Sequence, residues 1–115
     1  MMAAYQVAYT AQAYTDLGDI YAYLAFERKA PRTAKAQVDR IRKAVAALQT
    51  FPESCPVVDW QPWAAQGVRK MPVDHYVVFY CVDKSKKRAT VLRIFYGGRD
   101  VEHLACQEET DREGD

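Results

Sequence analysis

The sequence is poor in the residues that build metal sites and disulfides. It has three widely spaced cysteines (Cys55, Cys81 and Cys106), no CxxC pair, and only two histidines, His75 and His103. A structural zinc site needs about four cysteine or histidine ligands, usually in closely spaced pairs. Cys81 lies inside an apolar run and reads as a small core residue. We therefore expect no metal and no cofactor, and nothing requires an oxidising compartment.

Long hydrophobic segments are also missing. No uninterrupted apolar run, Val77–Val82 included, approaches the roughly 20 residues that a membrane helix needs. The first fifteen residues are uncharged, but they lack the basic start and the continuous apolar stretch of a signal peptide. These absences predict a soluble, cytoplasmic protein with no membrane partner.

The net charge is small, but the charges are unevenly spread. The chain has 115 residues, with 16 basic and 15 acidic side chains. Residues 1–104 carry 15 basic and 10 acidic groups, whereas residues 105–115 carry one basic and five acidic groups. This asymmetry indicates a polyanion or an acidic protein as partner. We predict a single domain over residues 1–105 and an acidic, disordered tail over residues 106–115.

The first third of the chain predicts a strand followed by a helix. Polar and apolar residues alternate in Tyr5–Tyr9, which predicts a short strand with one buried face. Thr10 is suited to cap a helix that runs to about Arg28. Asp16 and Asp19 fall early in this helix, where its dipole favours negative charge. The predicted buried stripe consists of Ala13, Leu17, Ile20, Tyr21 and Leu24.

A second helix is predicted between Pro31, which suits a first-turn position, and Pro52. Its short connection to the first helix implies an antiparallel helical hairpin. The apolar stripe consists of Ala34, Val38, Ile41, Val45 and Leu48. The intervening positions give a basic outer face, formed by Lys35, Arg40, Arg42 and Lys43.

The second half of the chain predicts a long loop and three strands. The loop Glu53–Gly67 has no hydrophobic period, and Trp60 and Trp63 are its expected anchors. A turn through Pro72, Asp74 and His75 separates the first two strands, and residues 99–104 suit one helical turn. The strands are Val68–Met71, Tyr76–Val82 and Ala89–Tyr96.

This order predicts an α+β fold, β-α-α-β-β-β. Three sequential strands with short connections should form an antiparallel meander, and the helical hairpin should cover one face of the sheet. Tyr76–Val82 is apolar on both faces, which is typical of a central strand. The first strand is expected at an edge, beside the last strand.

Four segments together resemble a known family. They are Asp16–Leu24 (D-L-x-x-I-Y-x-Y-L), Leu48–Pro52 (L-x-x-F-P), Gly67–Tyr80 (G-V-R-K-M-x-V-x-x-Y-x-V-F-Y) and Val91–Asp100 (V-x-R-I-x-x-G-x-R-D). In this order they resemble the RelE/ParE superfamily, the toxins of bacterial type II toxin–antitoxin systems, also known as the plasmid stabilisation family. The resemblance extends over roughly residues 5–104.

The resemblance implies a growth-inhibiting toxin that a cognate antitoxin neutralises. It allows a homodimer or a heterotetramer with the antitoxin. One branch of the family cleaves mRNA on the ribosome, as a metal-free endoribonuclease. The ParE branch poisons DNA gyrase and is not an enzyme. A third interpretation is an inert protein that only binds the antitoxin.

For a nuclease, RNA cleavage requires cations at the scissile phosphate and groups that move protons. The candidate catalytic residues are Arg69, Lys70, Arg93, Tyr96 and Arg99, with His75 or His103 as further proton carriers. Arg69 and Arg93 would approach each other across the sheet if they shared a face.

Other features favour structural roles and the ParE branch. Arg93 could instead bond a loop carbonyl or Asp74, and Arg99 could pair with Asp100. In the strand predicted at Tyr76–Val82, Val77 stands where the RelE-type nucleases are expected to carry a cation. The sequence therefore favours a gyrase poison over an endoribonuclease.

Overall fold

A computed structural model describes residues 4–97. Its strands are β1 (Gln6–Tyr9), β2 (Arg69–Val73), β3 (Tyr76–Asp83) and β4 (Arg88–Tyr96), and its α-helices are α1 (Ala11–Ala22) and α2 (Pro31–Ala46). The predicted order β-α-α-β-β-β is confirmed. The predicted helical turn at residues 99–104 and the acidic tail lie outside the described residues. Between residues 4 and 97, no helix has the length and apolar character to cross a membrane.

The four strands form one mixed sheet in the spatial order β1-β4-β3-β2. The β2–β3 and β3–β4 pairs are antiparallel, which confirms the meander, and β1 lies parallel to β4 at one edge. The spatial order therefore differs from the order along the chain. Pro72 lies in β2 rather than in the predicted turn, since β2 is an edge strand and tolerates a residue without an N–H.

The helices begin where the sequence predicts but end differently. Thr10 caps α1, because its Oγ1 accepts a hydrogen bond from the N–H of Ala13 at 3.1 Å. The chain continues past α1 as a π-helical turn to Glu27. After α2, a 3₁₀ turn ends at Gln49, three residues before Pro52, which was the predicted end.

The buried face of α1 is rotated relative to the predicted stripe. Tyr21 is 40% exposed, so its assignment to the stripe is wrong. Asp16 is buried instead, which the helix dipole alone does not explain. The reason is a partner for Asp16 on β4, which draws this side of the helix towards the sheet.

The sheet is covered on both faces. On one face, α1 and α2 pack on the sheet to form the main core, which includes Ile41, Val45 and Tyr80. On the other face, Trp60 and Trp63 pack their rings against Phe79, at centroid distances of 5.9 and 5.1 Å. The predicted helical layer and the predicted tryptophan anchors are both confirmed.

The exposed basic face of α2 is joined to the β2–β3 turn by one ion pair. Arg40 Nε donates to Asp74 Oδ2 at 2.6 Å, and Gln37 Nε2 donates to the same oxygen at 3.1 Å. These hydrogen bonds lower the pKa of Asp74 below its ordinary value of 3.8. A carboxyl with a lower pKa in the folded state stabilises the fold above the unfolded pKa. This contribution is lost as the pH falls through the folded value.

We therefore expect part of the acid-induced loss of stability to depend on Arg40. The melting temperature should fall as the pH decreases below about 3.8, and Arg40→Gln should make this fall shallower. Thermal melts monitored by circular dichroism across this range test the expectation. Lys43→Gln, on the same exposed face, is the control and should keep the original slope. Parallel curves for all three proteins would contradict the assignment.

Candidate functional site

A bulge in β4 determines the environment of Arg93. Phe79 pairs with Arg93 but Tyr80 pairs with Val91, so Leu92 is an extra residue in β4. Such a bulge bends the strand and re-aims the neighbouring side chain. Arg93 Nε and Nη2 donate to the two carboxylate oxygens of Asp16 at 2.9 and 3.2 Å. The N–H of Ile94 also donates to Asp16, at 2.9 Å.

The Asp16–Arg93 pair is largely shielded from water. The side chains are 8% and 14% exposed, and the Arg93 guanidinium lies 4.5 Å from the centroid of the Phe95 ring. A two-point contact between guanidinium and carboxylate is directional as well as strong. Arg93 therefore joins α1 to the bulge. Asp74, one of the two alternative partners suggested for Arg93, is bound by Arg40 instead.

Arg69 is held by the start of the long loop. Its guanidinium donates to the backbone carbonyls of Cys55 and Glu53 and to the carboxylate of Glu53. These hydrogen bonds of Arg69 fix the loop on β2. The residue that pairs with Arg69 on β3 is Tyr80. Burial raises the pKa of Tyr80 to about 12, and the neighbouring thiol of Cys55 contributes to this increase.

The structure does not bring Arg69 and Arg93 into one site. β3 lies between their strands, and each arginine bonds a different carboxylate, Glu53 or Asp16. The expectation that they approach each other across the sheet is not supported. The two cations instead stabilise separate contacts of the fold.

The other candidates are more exposed and lie apart. Lys70 Nζ lies 5.9 Å from the ring centroid of Trp60, on the loop-covered side of the sheet. Tyr96 is half-exposed at the end of β4, and its ring centroid is 5.7 Å from that of Tyr76. His75 is exposed in the β2–β3 turn, as expected for a solvated side chain. Arg99 and His103 lie outside the described residues.

A cleft of about 530 Å³ opens between α1 and the end of β4. The rings of Tyr23, Tyr76 and Tyr96 line it together with Asp16, Asp19 and Arg93. We refer to it as the tyrosine cleft. Its lining comes from a helix and from strand ends more than fifty residues away along the chain, so no local pattern in the sequence reveals it.

Gly97 packs closely against the β2–β3 turn where the chain leaves this cleft. The N–H of Gly97 donates to the carbonyl of His75 at 2.7 Å. A Cβ atom at this position would lie only 3.2 Å from that oxygen.

Within residues 4–97, no three histidine, cysteine, aspartate or glutamate side chains are grouped so that they could hold a metal ion.

Comparison with solved structures shows the same fold in bacterial and archaeal proteins. A chain of the chromosomal ParDE TA system from P. aeruginosa is 23% identical, with a TM-score of 0.64, and the match covers 83% of this chain and 98% of that one. An archaeal RelE–RelB complex from Pyrococcus horikoshii gives 20% identity and a TM-score of 0.58, covering 85% of this chain and 99% of that one.

A third similar structure is the RelBE2 toxin–antitoxin complex of Mycobacterium tuberculosis. It gives 18% identity and a TM-score of 0.58, and the match covers 84% of this chain and 94% of that one. A search of curated proteins returned no match. The family described as ParE toxin of type II toxin–antitoxin system, parDE, matches residues 7–101. This match covers most of the chain, and the chain therefore belongs to the ParE toxin family of type II toxin–antitoxin systems.

Proposed function

We propose that this toxin arrests growth by poisoning DNA gyrase and that a cognate antitoxin neutralises it. The main support is that two arginines on the strands of the sheet already have carboxylate partners. Arg93 pairs with Asp16, and Arg69 pairs with Glu53. A nuclease of this kind needs cations directed at the scissile phosphate. These two arginines instead form ion pairs with carboxylates of the same chain.

The family match supports the same choice. The matching description is that of ParE toxins, and it extends over the elements that carry both arginines. The third strand, β3, adds no cation to the sheet, since Val77 stands where a nuclease of the RelE type is expected to have one. Both observations favour gyrase over mRNA as the target.

The antitoxin proposal rests on charge and on the solved relatives. Residues 4–97 contain 14 basic and 8 acidic side chains, which favours an acidic partner segment. The similar structures are those of a ParDE system, a RelBE2 toxin–antitoxin complex and an archaeal RelE–RelB complex. We propose the corresponding partner for this chain.

Two assays with the full-length toxin, run side by side, separate the targets. Gyrase with relaxed plasmid measures supercoiling and trapped cleavage complexes, and translating ribosomes with a defined mRNA measure transcript cleavage. We expect loss of supercoiling and intact transcripts, together with growth arrest when the toxin is expressed alone. Co-expression of the antitoxin should restore growth.

The opposite results are equally clear. Cut transcripts with unaffected gyrase would overturn the proposal in favour of an endoribonuclease, and Lys70→Ala and Tyr96→Phe should then reduce cleavage. These two residues are exposed, so their loss does not break the ion pairs of the fold. Normal growth at good levels of folded protein would indicate an inert protein that only binds the antitoxin.

A further inference from the structure

The tyrosine cleft presents aromatic rings to solvent. Tyr23 and Tyr96 are half-exposed, and Tyr76 is buried behind them. The rings of Tyr76 and Tyr96 are tilted by 45° to each other at 5.7 Å. The faces of aromatic rings carry partial negative charge. Three tyrosines around one opening therefore form a surface that attracts cations.

The cleft also contains a carboxylate without a counter-charge. Asp16 is neutralised by Arg93, but Asp19 is exposed one turn further along α1. Asp19 makes no ion pair and no side-chain hydrogen bond with any residue between 4 and 97. The tyrosine cleft is thus a negative site on a predominantly basic domain.

We infer that the tyrosine cleft binds an arginine side chain of a partner protein. A planar guanidinium can stack on a tyrosine face while its N–H groups donate to the carboxylate of Asp19. The volume of about 530 Å³ has room for such a side chain and for the peptide that carries it. A phosphate would meet repulsion from Asp19. This inference does not depend on whether gyrase or mRNA is the target.

The direct test is a titration of ¹⁵N-labelled full-length toxin with N-acetyl-argininamide, followed by NMR. We expect millimolar binding, with chemical-shift changes at Ile20, Tyr23 and Ile94, which line the cleft. N-acetyl-citrullinamide has nearly the same shape without the charge and should bind far more weakly. High salt should weaken binding of the arginine probe, because part of it is electrostatic.

Paired variants locate the binding site. Asp19→Asn should weaken binding about fivefold, the upper range for an exposed ion pair. Asp39→Asn removes an exposed carboxylate of α2 outside the cleft and should change nothing. Tyr96→Ala should likewise weaken binding, whereas Tyr21→Ala, exposed outside the cleft, should not. Circular dichroism confirms that each variant is folded.

Several results would overturn the inference. Equal binding of the citrulline probe would mean that charge is not recognised. Stronger binding of uridine 3′-monophosphate would assign the cleft to a nucleotide. Tighter binding of the arginine probe by Arg99→Ala would mean that the chain's own arginine, rather than a partner's, competes for the cleft.

Discussion

Replacing Asp16 with asparagine is expected to lower the free energy of unfolding by about 3–5 kcal/mol. The substitution keeps the size of the side chain but removes the carboxylate charge that pairs with the largely buried guanidinium of Arg93. It also weakens the acceptor for the N–H of Ile94, which the bulge directs at Asp16. Urea denaturation followed by tryptophan fluorescence measures the loss.

A matched control lies one turn away on the same helix. Asp19→Asn removes an exposed carboxylate and should change stability by less than about 0.5 kcal/mol. The double variant Asp16→Leu with Arg93→Met should lose less than the sum of its single variants, because no unpaired charge remains. Equal stability of the Asp16→Asn and Asp19→Asn proteins would contradict the role of the pair.

Replacing Phe79 with alanine is expected to cost about 3–5 kcal/mol through the cavity that it leaves. Phe79 is only 1% exposed and contacts the rings of Trp60, Trp63 and Phe95. It is the residue on which the 53–67 loop rests, so the loop should loosen as well as the core. We expect a lower denaturation midpoint and a red-shifted tryptophan emission in the folded state.

Phe51→Ala is the control for this substitution. Phe51 is 64% exposed, so its removal creates no cavity and should leave both the midpoint and the emission almost unchanged. If the emission maximum of Phe79→Ala stayed at the wild-type position, the tryptophans would not be anchored by Phe79. Contacts other than those with Phe79 would then hold the 53–67 loop in place.

Local patterns were sufficient to predict the elements of the fold. The cap at Thr10, the start of α2 at Pro31 and the basic outer face of α2 follow from residue types and spacings within a few positions. The central position of β3 follows from a run that is apolar on both sides. Each of these features depends on residues that lie only two to four positions apart in the sequence.

The site could not be predicted in the same way. The bulge at Leu92 places Val91 and Ile94 in the same core although they are three residues apart, so the two-residue period fails at this point. The Asp16–Arg93 pair joins residues 77 positions apart, and the tyrosine cleft depends on that junction. Charged residues in a helix and a strand can find many partners, and only the folded topology selects one.

The parallel pairing of β1 with β4 has a consequence for how the protein is made. Gln6–Tyr9 pairs with residues 88–91. During synthesis, the first strand therefore has no pairing partner until the last strand has been made. Contacts between such distant residues form late and slowly, whereas the helical hairpin can form early. A ribosome-bound chain that stops before Arg88 has two strands without their shared neighbour, since β4 lies between β1 and β3. The four-stranded sheet can therefore form only after β4 has been synthesised.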